Sequence, residues 1–263
     1  MRPLALLLLA AVSLRAQTSQ EKGQQLIQEC FQAVGGEALL KLRDRVQRGR
    51  AYQFYRDRLR GLSVVTIYTR YDFPPSSPVP GWIGLRERRE FGKDGDYGAL
   101  FMDGKGFEIT FRGARPFPED YMHQYRERLR RDIFYILKFR LREPDMLFES
   151  LGTEIIDNQP TDAVRITDAD NQSSTVYLLK SSRLPIRQEY VRRDPKTREV
   201  FREVGHLSRY RQVEGLQLPW NTLLIRDEEK IFEMFGETME LNKDLEESLF
   251  TLKKGLKILP LER

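Results

Sequence analysis

Apolar residues recur at two different spacings along the chain, and the change of spacing marks out its elements. Leu26, Ile27, Cys30, Phe31 and Val34 repeat at helical intervals, so the segment before Gly35-Gly36 presents one apolar face. Thr18-Ser19-Gln20-Glu21 can open that helix with a capping box, the threonine and the glutamate each accepting a free backbone N–H. Cys30 lies on the apolar face and reads as a buried thiol. Glu37 to Leu42 adds a turn or two.

From Val46 the period becomes two. Val46 to Tyr55 and Leu62 to Tyr71 read as paired strands, followed by Ile83 to Phe91, which turns at Asp94-Gly95. Tyr97 to Met102 and Phe107 to Arg112 flank Asp103-Gly104-Lys105-Gly106, a strong hairpin pattern. Strands are further expected around Glu154 to Asp157, Ala163 to Thr167, Thr175 to Leu179 and Pro185 to Arg192. Glu199 to Tyr210, Leu216 to Ile225 and Lys230 to Leu241 complete the set. Strands joined in order by tight turns predict an antiparallel sheet that curls on itself, with no βαβ alternation.

One segment breaks the series. Pro118 to Arg142 reads as a single helix with Tyr121, Tyr125, Leu129, Ile133, Ile136, Leu137 and Leu141 on one face, stopped by Pro144. Arg126, Arg128, Arg130 and Arg131 fill much of the other side, so this helix either covers the sheet or forms a basic lid. The proline-rich stretch Asp72 to Trp82 reads as a loop that could set Trp82 at a cavity mouth.

The first residues change the compartment. Arg2, the apolar run Leu4 to Val12 and a small residue at Ala16 have the layout of a cleavable export signal, so residues 1–16 are expected to be removed. The run is shorter than the roughly 20 residues a membrane span needs. No cysteine follows it to take a lipid, and the mature protein, 17–263, is expected to be one soluble periplasmic domain with no transmembrane segment. A single cysteine forbids an intramolecular disulfide, so the core alone must hold the fold. Net charge is +5, falling to about +3 without Arg2 and Arg15. In an exported chain this balance suits acidic head groups or an acidic partner and argues against nucleic acid.

No catalytic pattern emerges. His123 and His206 stand far apart without metal-ligand spacing, and there is no nucleophile elbow or Cys-His pair. Asp168-Ala169-Asp170-Asn171 lacks the glycine and the glutamate of a calcium loop and reads as a turn. The expectation is no enzyme, no metal and no cofactor.

Short pieces in order along the chain resemble the LolA/LolB-like family of outer-membrane lipoprotein-sorting proteins. They are Gly35-Gly36-Glu37-Ala38-Leu39, Phe101-Met102-Asp103-Gly104-Lys105-Gly106-Phe107 and Val176-Tyr177-Leu178-Leu179-Lys180 with Leu184-Pro185-Ile186-Arg187. The last stretch, Tyr210 to Pro219, is followed by Met239-Glu240-Leu241-Asn242 and Leu249-Phe250. The resemblance implies a mainly β (α+β) fold, an incomplete antiparallel β-barrel of about 11–12 strands with an N-terminal and a middle helix covering it. It also implies an apolar concave face that shelters acyl chains of a lipid or lipoprotein carried between membranes, exchanged with a membrane-protein donor or acceptor. A regulatory protein on the same half-barrel, binding a protein partner, is the alternative. Strand patterns nominate Phe54, Val65, Ile67, Phe101, Phe107, Tyr190, Trp220, Ile231 and Phe235 as cavity residues, beside Trp82 at the mouth.

Overall fold

The structure, a computed structural model, describes residues 17–72, 83–92, 97–194 and 197–261. Trp82, most of the proline-rich stretch and the Asp94-Gly95 turn lie outside the described residues.

Among the described residues thirteen antiparallel strands form one sheet. The first six are β1 (Asp44–Tyr55), β2 (Arg58–Tyr71), β3 (Leu85–Phe91), β4 (Tyr97–Met102), β5 (Lys105–Thr110) and β6 (Gly113–Pro116). The rest are β7 (Leu147–Ile156), β8 (Gln159–Thr167), β9 (Ser173–Leu179), β10 (Pro185–Arg193), β11 (Val200–Val213), β12 (Leu216–Arg226) and β13 (Glu229–Leu241). Their order in the sheet is β6-β5-β4-β3-β2-β1-β13-β12-β11-β10-β9-β8-β7. Strand β1 pairs with β13 rather than starting an edge, so the sheet folds back upon its own beginning. The outer strands β6 and β7 do not meet, and the barrel stays open. β6 had no separate alternation to reveal it, and β7 begins well before Glu154 because Leu147 and Phe148 extend its ladder to β8.

Helix α1 (Ser19–Val34) lies on the concave face of the sheet. Its capping box forms as the sequence predicts: Thr18 Oγ1 accepts the Glu21 N–H at 3.1 Å, and Glu21 Oε2 accepts the Thr18 N–H at 2.8 Å. Gly23 lets it cross β7 closely, since a methyl group there would run into the Phe148 carbonyl. Leu26, Ile27, Cys30 and Val34 are shut from water against Val164, Val176, Leu178 and Leu216. Gly35, at φ 138°, ends α1 in a conformation that favours glycine and leads into α2 (Glu37–Lys41).

The middle segment is not one helix. α3 spans Glu119–Arg131, Asp132 is extended (φ −58°, ψ 131°), and a new turn α4 (Ile133–Tyr135) runs into a π-turn, Ile136–Arg140. Asp132 causes the break by capping the second piece: its Oδ1 accepts the Tyr135 N–H at 3.0 Å. The offset changes which residues point inward. Met122 and Tyr125 are buried, whereas Tyr121, expected on the buried face, is largely exposed, and Arg131 is buried.

The opposite, convex face has its own cover. Glu247, in the 3₁₀ turn Glu247–Phe250, receives both Arg70 and Arg86, and the tail beyond it bonds to β6 through Ala114 and Lys257. Phe250 and Leu100 are fully buried.

Candidate ligand-binding site

Register decides which side chains face the concavity. Gln47 pairs with Ile67 and Met239, Gly49 with Val65, and Ala51 with Met234, which places Val65, Ile67, Met234 and Met239 on the α1 side of the sheet. Two extra residues in β13 shift its alternation: Glu237 is unpaired opposite Arg48 and Gly49, and Ile231 opposite Leu224 and Ile225. Between these bulges Met234 turns inward and Phe235 outward.

Two cavities open between the sheet and its helices. The deeper one, about 210 Å³, is bounded by Leu39 and Leu42 of the α2 region, by Tyr135 and Lys138, and by Arg45, Gln47, Thr69, Leu85 and Glu87 of the strands. The other, about 200 Å³, lies towards the rim among Tyr190, Leu224, Ile225 and Ile231, with Gln188 and Glu203 at one side. Asp132, Leu207 and Thr222 line both, so the two are neighbours across a shared wall. Each alone is smaller than the roughly 300–1,000 Å³ of small-molecule pockets, and joined they reach that range.

Their chemistry differs. The rim cavity is largely apolar, with Arg128 and Gln188 at its edge and the Tyr190 hydroxyl donating to Glu203 Oε2 at 2.7 Å. Burial works to raise the Glu203 carboxyl, but Arg128, the Tyr190 hydroxyl and Arg226 outweigh it and hold it below the usual range. The deep cavity is the more polar of the two, though apolar side chains still line most of it. Lys138 Nζ donates to the carbonyls of Leu39, Leu40 and Leu42 at 2.8, 3.0 and 2.8 Å, and burial pushes its ammonium down to about 8. Burial raises the Asp132 carboxyl, opposed by the N–H groups of Tyr135 and Phe134 and by Arg45.

The nominated residues divide accordingly. Tyr190 and Ile231 line the rim cavity. Val65 and Ile67 share a second inward cluster with Ala51, Met234, Phe91 and Phe232. Phe101 faces inward but is consumed by α3, its ring stacked 3.9 Å from that of Tyr125. Trp220 is buried in the main core with Leu218 and Met239. Three residues fall on the other face. Phe235 stands edge-on to Tyr52 at 5.7 Å, Phe54 alternates with Tyr52 opposite Ala51, and Phe107 pairs with Leu100 behind Phe101. Trp82 lies outside the described residues.

Arg45, Thr69, Asp132 and Lys138 were not nominated. Arg45, Asp132 and Lys138 read as solvated charges and Thr69 as one polar position in an alternating strand, and only register and the break at Asp132 turn these four inward. Among the described residues no three His, Cys, Asp or Glu side chains converge on a metal-sized point, and no helix is long and apolar enough to cross a membrane.

No family model matches the chain, and no curated protein matches it by sequence. Solved structures do. An outer membrane lipoprotein-sorting protein domain from Vibrio parahaemolyticus superposes with a TM-score of 0.57 at 13% identity, covering 88% of this chain and 97% of that one. A DUF1329 family protein from Desulfovibrio piger gives 0.60 at 12% identity, over 89% and 98% of the two chains. A LolA superfamily protein from Nitrosomonas europaea gives 0.53 at 10% identity, over 87% and 97%. The open thirteen-stranded sheet with helices in its concavity is thus the fold shared by LolA superfamily and outer membrane lipoprotein-sorting proteins.

Proposed function

We propose that the mature chain, residues 17–263, is a periplasmic carrier that works as one domain and is not an enzyme. It holds an acyl chain of a lipid or lipoprotein in the concavity and passes it between membrane-bound donors and acceptors. The observation that carries this reading is the pair of adjoining cavities, with an aliphatic section at the rim beside Leu224 and Ile231. Each methylene moved from water into such a section contributes about 0.8 kcal/mol, so a short buried stretch of chain outweighs much of the cost of association. The fold shared with lipoprotein-sorting proteins agrees with it.

The reading is tested on the purified mature protein. Native mass spectrometry should find co-purified lipid, and a fluorescent fatty acid should bind at micromolar concentration. Leu224→Asp, which sets a charge in the rim cavity, should weaken probe binding about tenfold or more while the fold persists, from a cost of about 1.4 kcal/mol per tenfold. A wild-type protein that binds no lipid, detergent or acylated peptide would end the carrier reading.

A further inference from the structure

Arg45 is a half-buried cation at the deep cavity with a donor left unpaired. Arg45 opposes Thr69 and Leu241 across its two ladders and lines the cavity with Thr69. Its Nε is buried with no hydrogen-bond partner, and Arg45 forms no ion pair among the described residues. Thr69 is 2% exposed, and its Oγ1 also lacks a partner. Two buried polar atoms from adjacent strands therefore lack partners beside one cavity, where leaving them unmet is costly.

The other charges around the cavity are already engaged. Asp132 caps α4, Glu87 Oε1 accepts from Arg89 at 2.6 Å, and all three Lys138 donors are met by backbone carbonyls. Tyr135 donates to the Ile83 carbonyl at 2.7 Å. Glu87 is thus taken by Arg89, and Asp132 attracts Arg45 without a hydrogen bond or close ion pair to it, so the Arg45 guanidinium keeps a donor free. Across the wall shared through Asp132, Leu207 and Thr222 the lining becomes mostly apolar, with Arg128, Gln188 and Glu203 its polar side. The more polar cavity and the apolar one together have the polarity of an amphiphile laid head inward.

We infer that Arg45 and Thr69 hold the acidic head group, a carboxylate or a phosphate monoester, of a single-chain amphiphile whose tail extends past Thr222 towards the rim. The guanidinium supplies charge-assisted donors and Thr69 Oγ1 a further hydroxyl donor. This rests on the carrier reading and specifies its ligand class.

The test uses the purified mature chain with dansyl-undecanoic acid, its methyl ester and inorganic phosphate as probes. The acid should bind about tenfold or more tighter than the ester, the margin of one charge-assisted bond. Arg45→Met should bring the acid down to the level of the ester and leave the ester unchanged, Arg45→Lys should restore part of the preference, and Thr69→Val should reduce it severalfold. Thermal melting of each variant shows that it is folded, and Thr69→Val serves should Arg45→Met not fold. Equal wild-type affinity for acid and ester, or equal weakening of both by Arg45→Met, overturns the head-group site while the carrier reading stands. Binding of neither probe removes both. Phosphate alone competing with the acid at equal concentration, through Arg45, would make the site one for a free anion and overturn the amphiphile.

Discussion

Arg140 Nη2 lies 3.0 Å from Asp168 Oδ2, and both side chains are almost entirely removed from water. The pair fastens the π-turn, which closes the deep cavity, to the β8–β9 turn at Asp168-Ala169-Asp170-Asn171. Asp168 also accepts the N–H groups of Asp170 and Gln172 at 3.1 and 2.9 Å, and Arg140 donates to the Arg130 carbonyl at 2.6 Å. Burial works to raise the Asp168 carboxyl, but those N–H groups and Arg140 hold it below the usual range. Its stabilisation is therefore present above the unfolded carboxylate range, near pH 4, and is lost as pH falls through the lowered folded value. Asp168→Ala should cost about 2–3 kcal/mol by stranding Arg140 Nη2 and the turn N–H groups, while Arg140 Nε keeps Glu143 at 2.9 Å. Asp168→Asn should cost less because its amide oxygen still accepts the backbone bonds. Urea unfolding from pH 7 to pH 3 measures both, and a variant as stable as wild type at pH 7 would contradict the assignment.

Cys30 gives a direct probe of α1. It is fully buried, and desolvation pushes its thiol up to about 12, so neither access nor ionisation favours attack. A thiol reagent at pH 8 should modify it about 100-fold or more slowly in the folded protein than in denaturant, as an opening of about 3 kcal/mol requires. Equal rates in both conditions would mean that α1 is not seated on β7 and β8.

Met234 and Phe235 separate the two faces of β13. Met234→Glu places a carboxylate against Ala51 and Val65 and should destabilise by about 3 kcal/mol or more. Phe235→Glu loses the edge-on contact with Tyr52 on the convex face and should cost only about 1 kcal/mol. Thermal melts of the two variants decide the matter, and the opposite ranking would mean the bulge at Glu237 is absent.

That pair also shows where the sequence is legible and where it is not. Capping at Thr18, the hairpin at Asp103-Gly104 and the buried stripe of α1 are local, and each follows from residues within a few positions of one another. Strand alternation likewise reveals two faces. It does not reveal which one is inward after a bulge: counting back from the buried Leu241 and Met239 points Phe235 into the concavity, and the extra residue Glu237 reverses the count. Asp132 hides a break inside an otherwise continuous helical stripe, because the bond that caps α4 is invisible until the chain has left the helix. Arg45 is the hardest to read, since nothing near it in sequence distinguishes a charge facing a cavity from one facing water.

Lys138 links the closing π-turn to α2 and offers the last test. Its three donors meet carbonyls at the end of α2, of which Leu39 also accepts the Leu42 N–H, so Lys138→Met should remove a donor from each and loosen this side of the cavity. We expect a loss of about 2–3 kcal/mol, and faster amide exchange confined to residues 37–42 and 133–140. Its pH dependence has the same sign as that of Asp168 but falls in the alkaline range. The ammonium is lowered from its ordinary 10.5 to about 8, so between those values the unfolded chain binds more protons and stability rises with pH. The slope attributable to Lys138 is at most about 1.4 kcal/mol per pH unit, and less because the group is partly solvated. It should vanish in Lys138→Met. If the cavity closes through this contact, the same variant should release a bound fatty-acid probe faster with little change in its association rate. A variant with wild-type exchange at 37–42 and 133–140 would show that the π-turn is held by its apolar contacts alone.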